Sequence, residues 1–250
     1  MQHLKLPTNW HHTHLQETIS TMLELQKDDF VKSTFPFELL TTDYQTAGRG
    51  QRGTSWEADA NANLLFGFIF HPTPLLATQQ FFLSEALALA VRSALSNYTK
   101  DVMVKWPNDV YWRDKKICGM LLEHTLCGKH IATTLTGVGI NINQESFKSD
   151  APNPISLKQI TGQTINRCEV LEHIIDNFSK RYDMIVNDQS STLHKEYMQH
   201  LYRGKGLYPY KDINGTFNAQ IEHISPIGTL SLKREDGTTT HYAFKEVTFI

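Results

Sequence analysis

Apolar and polar positions recur with two different periods along this chain, and each period predicts its own elements. From 14 to 26 (HLQETISTMLELQ) the apolar residues are spaced as on a helix, which predicts an early helix there. FELLTTDYQ, 37–45, reads as a strand running into a glycine-rich stretch. NLLFGFIFH, 63–71, is nearly continuous in apolar residues and predicts a buried strand. QQFFLSEALALAVRSALSNY, 79–98, has the alanine and leucine density of a largely buried helix. Short strands follow at 101–106, 109–112, 116–124 and 130–142, and two further helices at 168–187 and 190–202.

After Gly204 the period shortens. Alternating runs are broken by turn signals at Asn214-Gly215, Pro226-Ile227-Gly228 and Asp236-Gly237, the spacing of consecutive hairpins. The expected architecture is therefore α+β: a mixed sheet with flanking helices over 1–203, then a small all-β domain over 204–250, a little barrel or sandwich. At 250 residues the chain is long enough for one large core and a smaller companion.

Composition narrows what such a fold could do. The formal net charge of -2 supplies no basic field for nucleic acid or anionic lipid. No apolar run approaches the roughly 18 residues of a membrane span. MQHLKLPTNWHHTH has no apolar signal core, so export is not expected. Three cysteines without a CxxC pair suit reduced thiols, and a cytoplasmic location is expected.

Three stretches carry candidate chemistry. In QTAGRGQRGTSW, 45–56, three glycines and two arginines share six positions. Glycine carries the highest backbone entropy cost of any residue, so this stretch is either a loop wrapping its backbone around an anion or a surface turn. In VKWPNDVYWRDKKICGMLLE, 104–123, two extended arms flank a short loop, and Pro107 marks a bulge or the start of an arm. If that loop has an even number of residues, Asp109 and Lys116 fall on one face by parity, as an oriented ion pair or as a surface salt bridge of little worth. TGVGININ, 136–143, reads as a strand whose glycines admit a close neighbour, or as a plain core strand. The chain has neither a GxGxxG nor a GxxxxGK[ST] phosphate loop, and no nucleophile elbow. WHHTH, 10–14, invites a metal reading, but lies in a terminal segment without a partner carboxylate pattern, so no metal site is expected from protein motifs.

Taken in order, GRGQRG with a following tryptophan, KWPND, KKICGMLLE, GVGIN and a small β domain resemble the biotin protein ligase family over nearly the whole chain from about Glu17. The resemblance implies a class II synthetase-like biotin/lipoate ligase fold with a C-terminal SH3-like β-barrel. It also implies the short form, because too few residues precede the catalytic part to hold the helix-turn-helix domain of larger members. The implied activity uses biotin, ATP and Mg2+ (the metal entering with ATP) to make biotinyl-5'-adenylate. The carrier lysine that accepts biotin belongs to a biotin carboxyl carrier protein. No sequence-specific DNA binding, no membrane association, and a monomer or weak homodimer are expected with it.

Residue by residue, the resemblance puts Ser20, Thr21 and Gln45 at the ureido head of biotin, with Met22, Gly50, Gln51 and Gly119 also on the biotin side. Arg49 is implied near the biotin carboxylate, and Lys116 at the carboxyl and α-phosphate oxygens; these two are the candidate catalytic cations. Arg52, Trp56, Lys105, Asn108, Asp109 and Asn141 are implied on the ATP side, Trp56 near the adenylate and Asn141 at adenine. The glycine loop is implied to fold over the ligand and keep water from the anhydride. Two positions depart from the family pattern: Met22 stands where asparagine is common, and Gln51 where many members have arginine. A lipoate or octanoate ligase or transferase shares the implied fold and is the rival reading; the combined motifs favour biotin. A nucleic-acid module is disfavoured because the basic residues of 204–250 are balanced by acidic ones and form no stripe.

Overall fold

A computed structural model describes residues 4–50, 55–72, 74–148 and 153–250. A seven-stranded mixed sheet organises the molecule: β1 (Trp10–Thr18), β2 (Phe37–Gln45), β3 (Leu64–Phe70), β4 (Val102–Lys105), β5 (Asp109–Trp112), β6 (Lys115–Cys127) and β7 (His130–Ile140), in the spatial order β1-β2-β3-β7-β6-β5-β4. Only β1 and β2 run parallel; every other neighbouring pair is antiparallel.

The early helix expected at 14–26 is not there. Residues 10–18 are the edge strand β1, and the helix α1 is confined to Thr21–Glu24. Ile19, which completed the helical spacing, is 59% exposed. What decides the strand is distant in sequence: the ladder to β2, and the stacking of Trp10 on Phe37 at 4.5 Å between ring centroids. Local spacing carries no record of such partners. The histidine-rich stretch is thus ordered in the sheet. His14 bonds Asp43 at 3.1 Å, and Asp43 also receives Arg167 at 3.1 Å. Among the described residues no group of three metal-ligating side chains is placed to hold an ion.

The two faces of the sheet differ. One is covered by α3 (Phe81–Leu95), α5 (Arg167–Val186) and α6 (Ser190–Gln199), where Phe178 packs among Trp10, Phe37 and Phe68. The other carries α1, whose Met22 and Leu25 join Leu40, Ile69 and Leu135 in a smaller apolar cluster. Both faces of β3 are buried, which is why its sequence shows no alternation. Two short helices, α2 (Asp28–Val31) and α4 (Leu157–Thr161), were not foreseen.

The chain then enters an antiparallel sheet of β8 (Tyr208–Asp212), β9 (Gly215–Ile224), β10 (Leu230–Arg234), β11 (Thr239–Tyr242) and β12 (Thr248–Phe249), ordered β11-β10-β9-β8-β12. No ladder joins β11 to β12 among the described residues, so this sheet is open where a closed barrel was expected. It is docked on the first part: Trp106 Nε1 donates to Gly228 O at 2.9 Å, and Phe244 packs against Phe81 and Trp106. A single apolar cluster runs through both parts, from Trp10 to Val247. No helix among the described residues is long and apolar enough to cross a membrane.

Candidate active site

The face of the sheet left open by α1 forms a cavity of about 260 Å³. Glycine is what opens it. A Cβ on Gly137 would lie 2.7 Å from Met22 Cγ, and one on Gly139 would lie 2.4 Å from Trp56 Cε2. The close neighbour that the GVGIN glycines admit is therefore Met22 on one residue and the Trp56 indole on the other. Gly119, opposite Gly139 in the β6–β7 ladder, leaves room for the same indole and for Lys116.

Among its lining stand Ser20 and Thr21, both buried, with Gln45 beside Thr21. Thr21 donates twice to Gln45 Oε1, from its backbone N at 2.8 Å and its Oγ1 at 3.1 Å. With that oxygen engaged, the amide Nε2 remains as a donor. In the same lining, Lys116 Nζ lies 2.7 Å from Asp109 Oδ1, both partly buried. Arg113 and Asp114 form the two-residue loop between β5 and β6, so the parity expected for Asp109 and Lys116 holds. A bulge follows Lys116 on β6, and the main chain of Lys116 is held on its outer side by Asn153 O and Ile155 N, each at 2.9 Å. The ammonium is thus fixed by strand, bulge and counter-ion.

The glycine stretch begins as a narrow ladder: Trp56 N donates to Gly48 O at 3.0 Å, and Arg49 bridges Ser55. Arg49 and Gly50 reach the cavity. Gln51 and Arg52 lie outside the described residues.

Of the other expected residues, Met22, Trp56, Asn108, Asp109 and Gly119 line this cavity. Asn108 is anchored through its side-chain amide to Met120 O. Asn141 is in the wall rather than the lining, 3% exposed, and its Oδ1 is buried without a hydrogen-bond partner, as is Trp56 Nε1. Lys105 lies apart. It occupies an adjoining recess bordered by Asp109 and Lys245, bonds Tyr111 Oη at 2.8 Å, and faces the rings of Tyr111, Tyr202 and Phe249. Burial lowers its ammonium to about 8, against the opposing pull of Asp109. The cavity also takes Ser55, Met120, Leu121, Val138 and Lys245, which sequence reasoning missed. Lys245 comes from the turn between β11 and β12, and no local pattern connects it to residues a hundred positions earlier.

Residues 15–141 match the Biotin/lipoate A/B protein ligase family, and the chain belongs to that family. The bifunctional ligase/repressor BirA of Bacillus spizizenii is 29% identical, over 92% of this chain and 70% of that protein. The biotin--[acetyl-CoA-carboxylase] ligase of Paracoccus denitrificans is 31% identical, over 54% of this chain and 59% of its own length. Among solved structures, the fold is shared with the biotin protein ligase of Aquifex aeolicus in complex with biotin and ATP, at a TM-score of 0.79 and 24% identity over 96% of this chain and 98% of that one. It is shared also with the Leishmania major biotin protein ligase in complex with biotinyl-5-AMP, at a TM-score of 0.64 and 20% identity over 95% and 99%.

Proposed function

We propose that the protein is an ATP-dependent biotin protein ligase, which activates biotin as biotinyl-5'-adenylate and transfers it to a lysine of a biotin carboxyl carrier protein. The observation that carries this reading is Lys116, fixed beside Asp109 in the wall of a cavity that Ser20, Thr21 and Gln45 also line. The names and bound ligands of the ligases from Paracoccus and Aquifex support it.

In the first step a biotin carboxylate oxygen attacks the α-phosphorus of ATP, the bond to the bridging oxygen breaks, and pyrophosphate leaves. Negative charge grows on the phosphoryl oxygens, and Lys116 is positioned to meet it, with Arg49 closing from the loop. Mg2+, arriving with ATP, neutralises phosphate charge. In the second step the carrier amine attacks the anhydride carbonyl, loses a proton, and displaces AMP. Ser20, Thr21 and the Gln45 amide hold the ureido ring. An acyl chain without polar atoms at that end would leave the Ser20 hydroxyl and the Gln45 Nε2 donor unanswered, which supports biotin over octanoate. Gly50, Gly119 and Met22 bound the biotin side. Trp56, Asn108, Asp109 and Asn141 serve the nucleotide, the unpaired Asn141 Oδ1 suiting an exocyclic adenine amine. In the same reading Lys105 acts on the phosphate side from its recess, and Arg52 and Gln51 act from the loop. The catalytic part spans 1–203 and the β part 204–250. The protein works in the cytoplasm as a monomer or weak homodimer, without sequence-specific DNA contacts; the balanced charge of the second sheet supports that last point.

The test is incubation with MgATP and, separately, biotin, lipoate or octanoate, followed by mass analysis. Biotinyl-adenylate is expected without any carrier. Equal or faster adenylation of lipoate or octanoate would reassign the substrate.

A further inference from the structure

Gln144 lines neither the cavity nor its recess, yet it ties together the two segments that carry Trp56 and Asn141. It is 1% exposed, and its amide is fully engaged. Oε1 accepts from Asp59 N at 3.1 Å and from Asn63 Nδ2 at 2.5 Å. Nε2 donates to Ser146 O at 2.9 Å and, more weakly, to Glu57 Oε1 at 3.4 Å. Its carbonyl accepts from Ser156 Oγ at 2.6 Å, and Ser156 is the N-cap of α4. Asn63 extends the staple by accepting Ile142 N at 3.0 Å, and Asn143 N reaches Ala62 O at 2.9 Å. The residues after Trp56, 57–63, are thereby fastened to those after Asn141, 142–146.

Two of the side chains that the proposed function assigns to the nucleotide have no hydrogen bond of their own to set their positions: Trp56 Nε1 and Asn141 Oδ1 are both unpartnered. Their placement depends on their backbones, and the Gln144 amide is where those backbones meet. The biotin end has no such dependence, because Thr21 and Gln45 are bonded to each other and Ser20 is the N-cap residue of α1.

We propose that Gln144 is a positioning residue for the nucleotide, setting the spacing between Trp56 and Asn141 without touching ATP. This rests on the ligase reading above. A buried amide is suited to the task because it both donates and accepts, and because removing it leaves Asp59 N–H and Asn63 Nδ2 without their acceptor.

The experiment uses the full chain with biotin and MgATP. Wild type is measured first; absence of biotinyl-adenylate there would overturn the ligase reading and this inference with it. Given an active wild type, Gln144→Leu should raise the KM for ATP roughly tenfold, the scale of one lost hydrogen bond. The biotin Kd should change less than twofold and kcat little. Gln144→Glu guards against a leucine variant that does not fold, and adds a pH signature. Protonated, the introduced carboxyl keeps an acceptor and one of the two donors of the amide, enough for Ser146 O. Ionised, it has no donor and confronts Ser146 O and Glu57. Burial and the neighbouring carboxylate raise such a group, so the KM for ATP of this variant, relative to wild type, should climb as pH increases through its titration. A KM for ATP unchanged in both variants, equal losses in biotin and ATP affinity, or a pH-independent ratio for Gln144→Glu would each overturn the proposal.

Discussion

Lys116 and Arg49 are both cations at one cavity, and they differ in how they are held. Lys116 is fixed before any ligand arrives, by its bulge, by Asn153 and Ile155, and by Asp109. A preset cation aimed at developing charge acts on the transition state more than on the bound substrate. Lys116→Ala should therefore slow single-turnover adenylation about 100-fold or more while biotin affinity falls less. Arg49 is exposed on a loop ladder, so Arg49→Ala should weaken biotin binding and let the adenylate escape. Calorimetry and rapid quench on both variants separate the two; a Lys116→Ala enzyme that lost only affinity would remove its catalytic role. At this scale the sequence was informative where residues cluster. The Asp109–Lys116 pairing follows from hairpin parity, and Ser20, Thr21 and Gln45 came from the family resemblance. Gln144 and Lys245 left no trace, because each reaches its place only through segments brought together by the fold.

Elements were legible in proportion to how local their causes are. The strand β3 is written in an unbroken apolar run, α3 in its alanine and leucine density, and β2, β6 and β7 in local strand patterns, and all were anticipated close to their bounds. β1 was not, since its strand state is owed to β2 and to Trp10 rather than to its own spacing. α4 is five residues long, too short for periodicity, and is built by the Ser156–Gln159 capping box. The β3–β7 pair has a sharper requirement. A Cβ on Gly67 would lie 2.4 Å from the Thr136 carbonyl oxygen, which is main chain and cannot step aside, and 2.9 Å from Leu25. Gly67→Ala should cost about 2 kcal/mol of stability by forcing the two strands apart. Denaturant titration checks this, and an unchanged midpoint would mean that the centre of the sheet is more compliant than its geometry indicates.

Across the whole molecule, acid should act unevenly. Burial, with the neighbouring His14, holds the His12 imidazole down at about 4, and burial alone does the same for His124. Both take up a proton on unfolding near pH 6.5 that they refuse when folded, so their contribution to stability is lost as pH falls from about 6.5 toward 4. Each proton is worth at most about 1.4 kcal/mol per pH unit, and roughly half that for rings partly open to solvent. His194 has the opposite sign. Its hydrogen bond to Glu85 raises it, so its contribution is complete below about 6.5 and declines as pH rises through its folded value. Glu85, raised chiefly by burial, is likewise least costly in acid. Hydrogen exchange at pH 5 against pH 7, corrected for intrinsic rates, should show β1 and β6 losing protection before α3 and α6; uniform loss would contradict it.

The apolar cluster that runs from Trp10 to Val247 has one more consequence. A chain whose two sheets share a core has no half-folded refuge in which one survives the other. Damage in the far corner of the second sheet, around Leu230 and Leu232, would spread to the cavity on the first through Trp106 and Phe244. In a living cell such a lesion would thin the population of working molecules instead of producing a sluggish enzyme, because the two sheets stand or fall together.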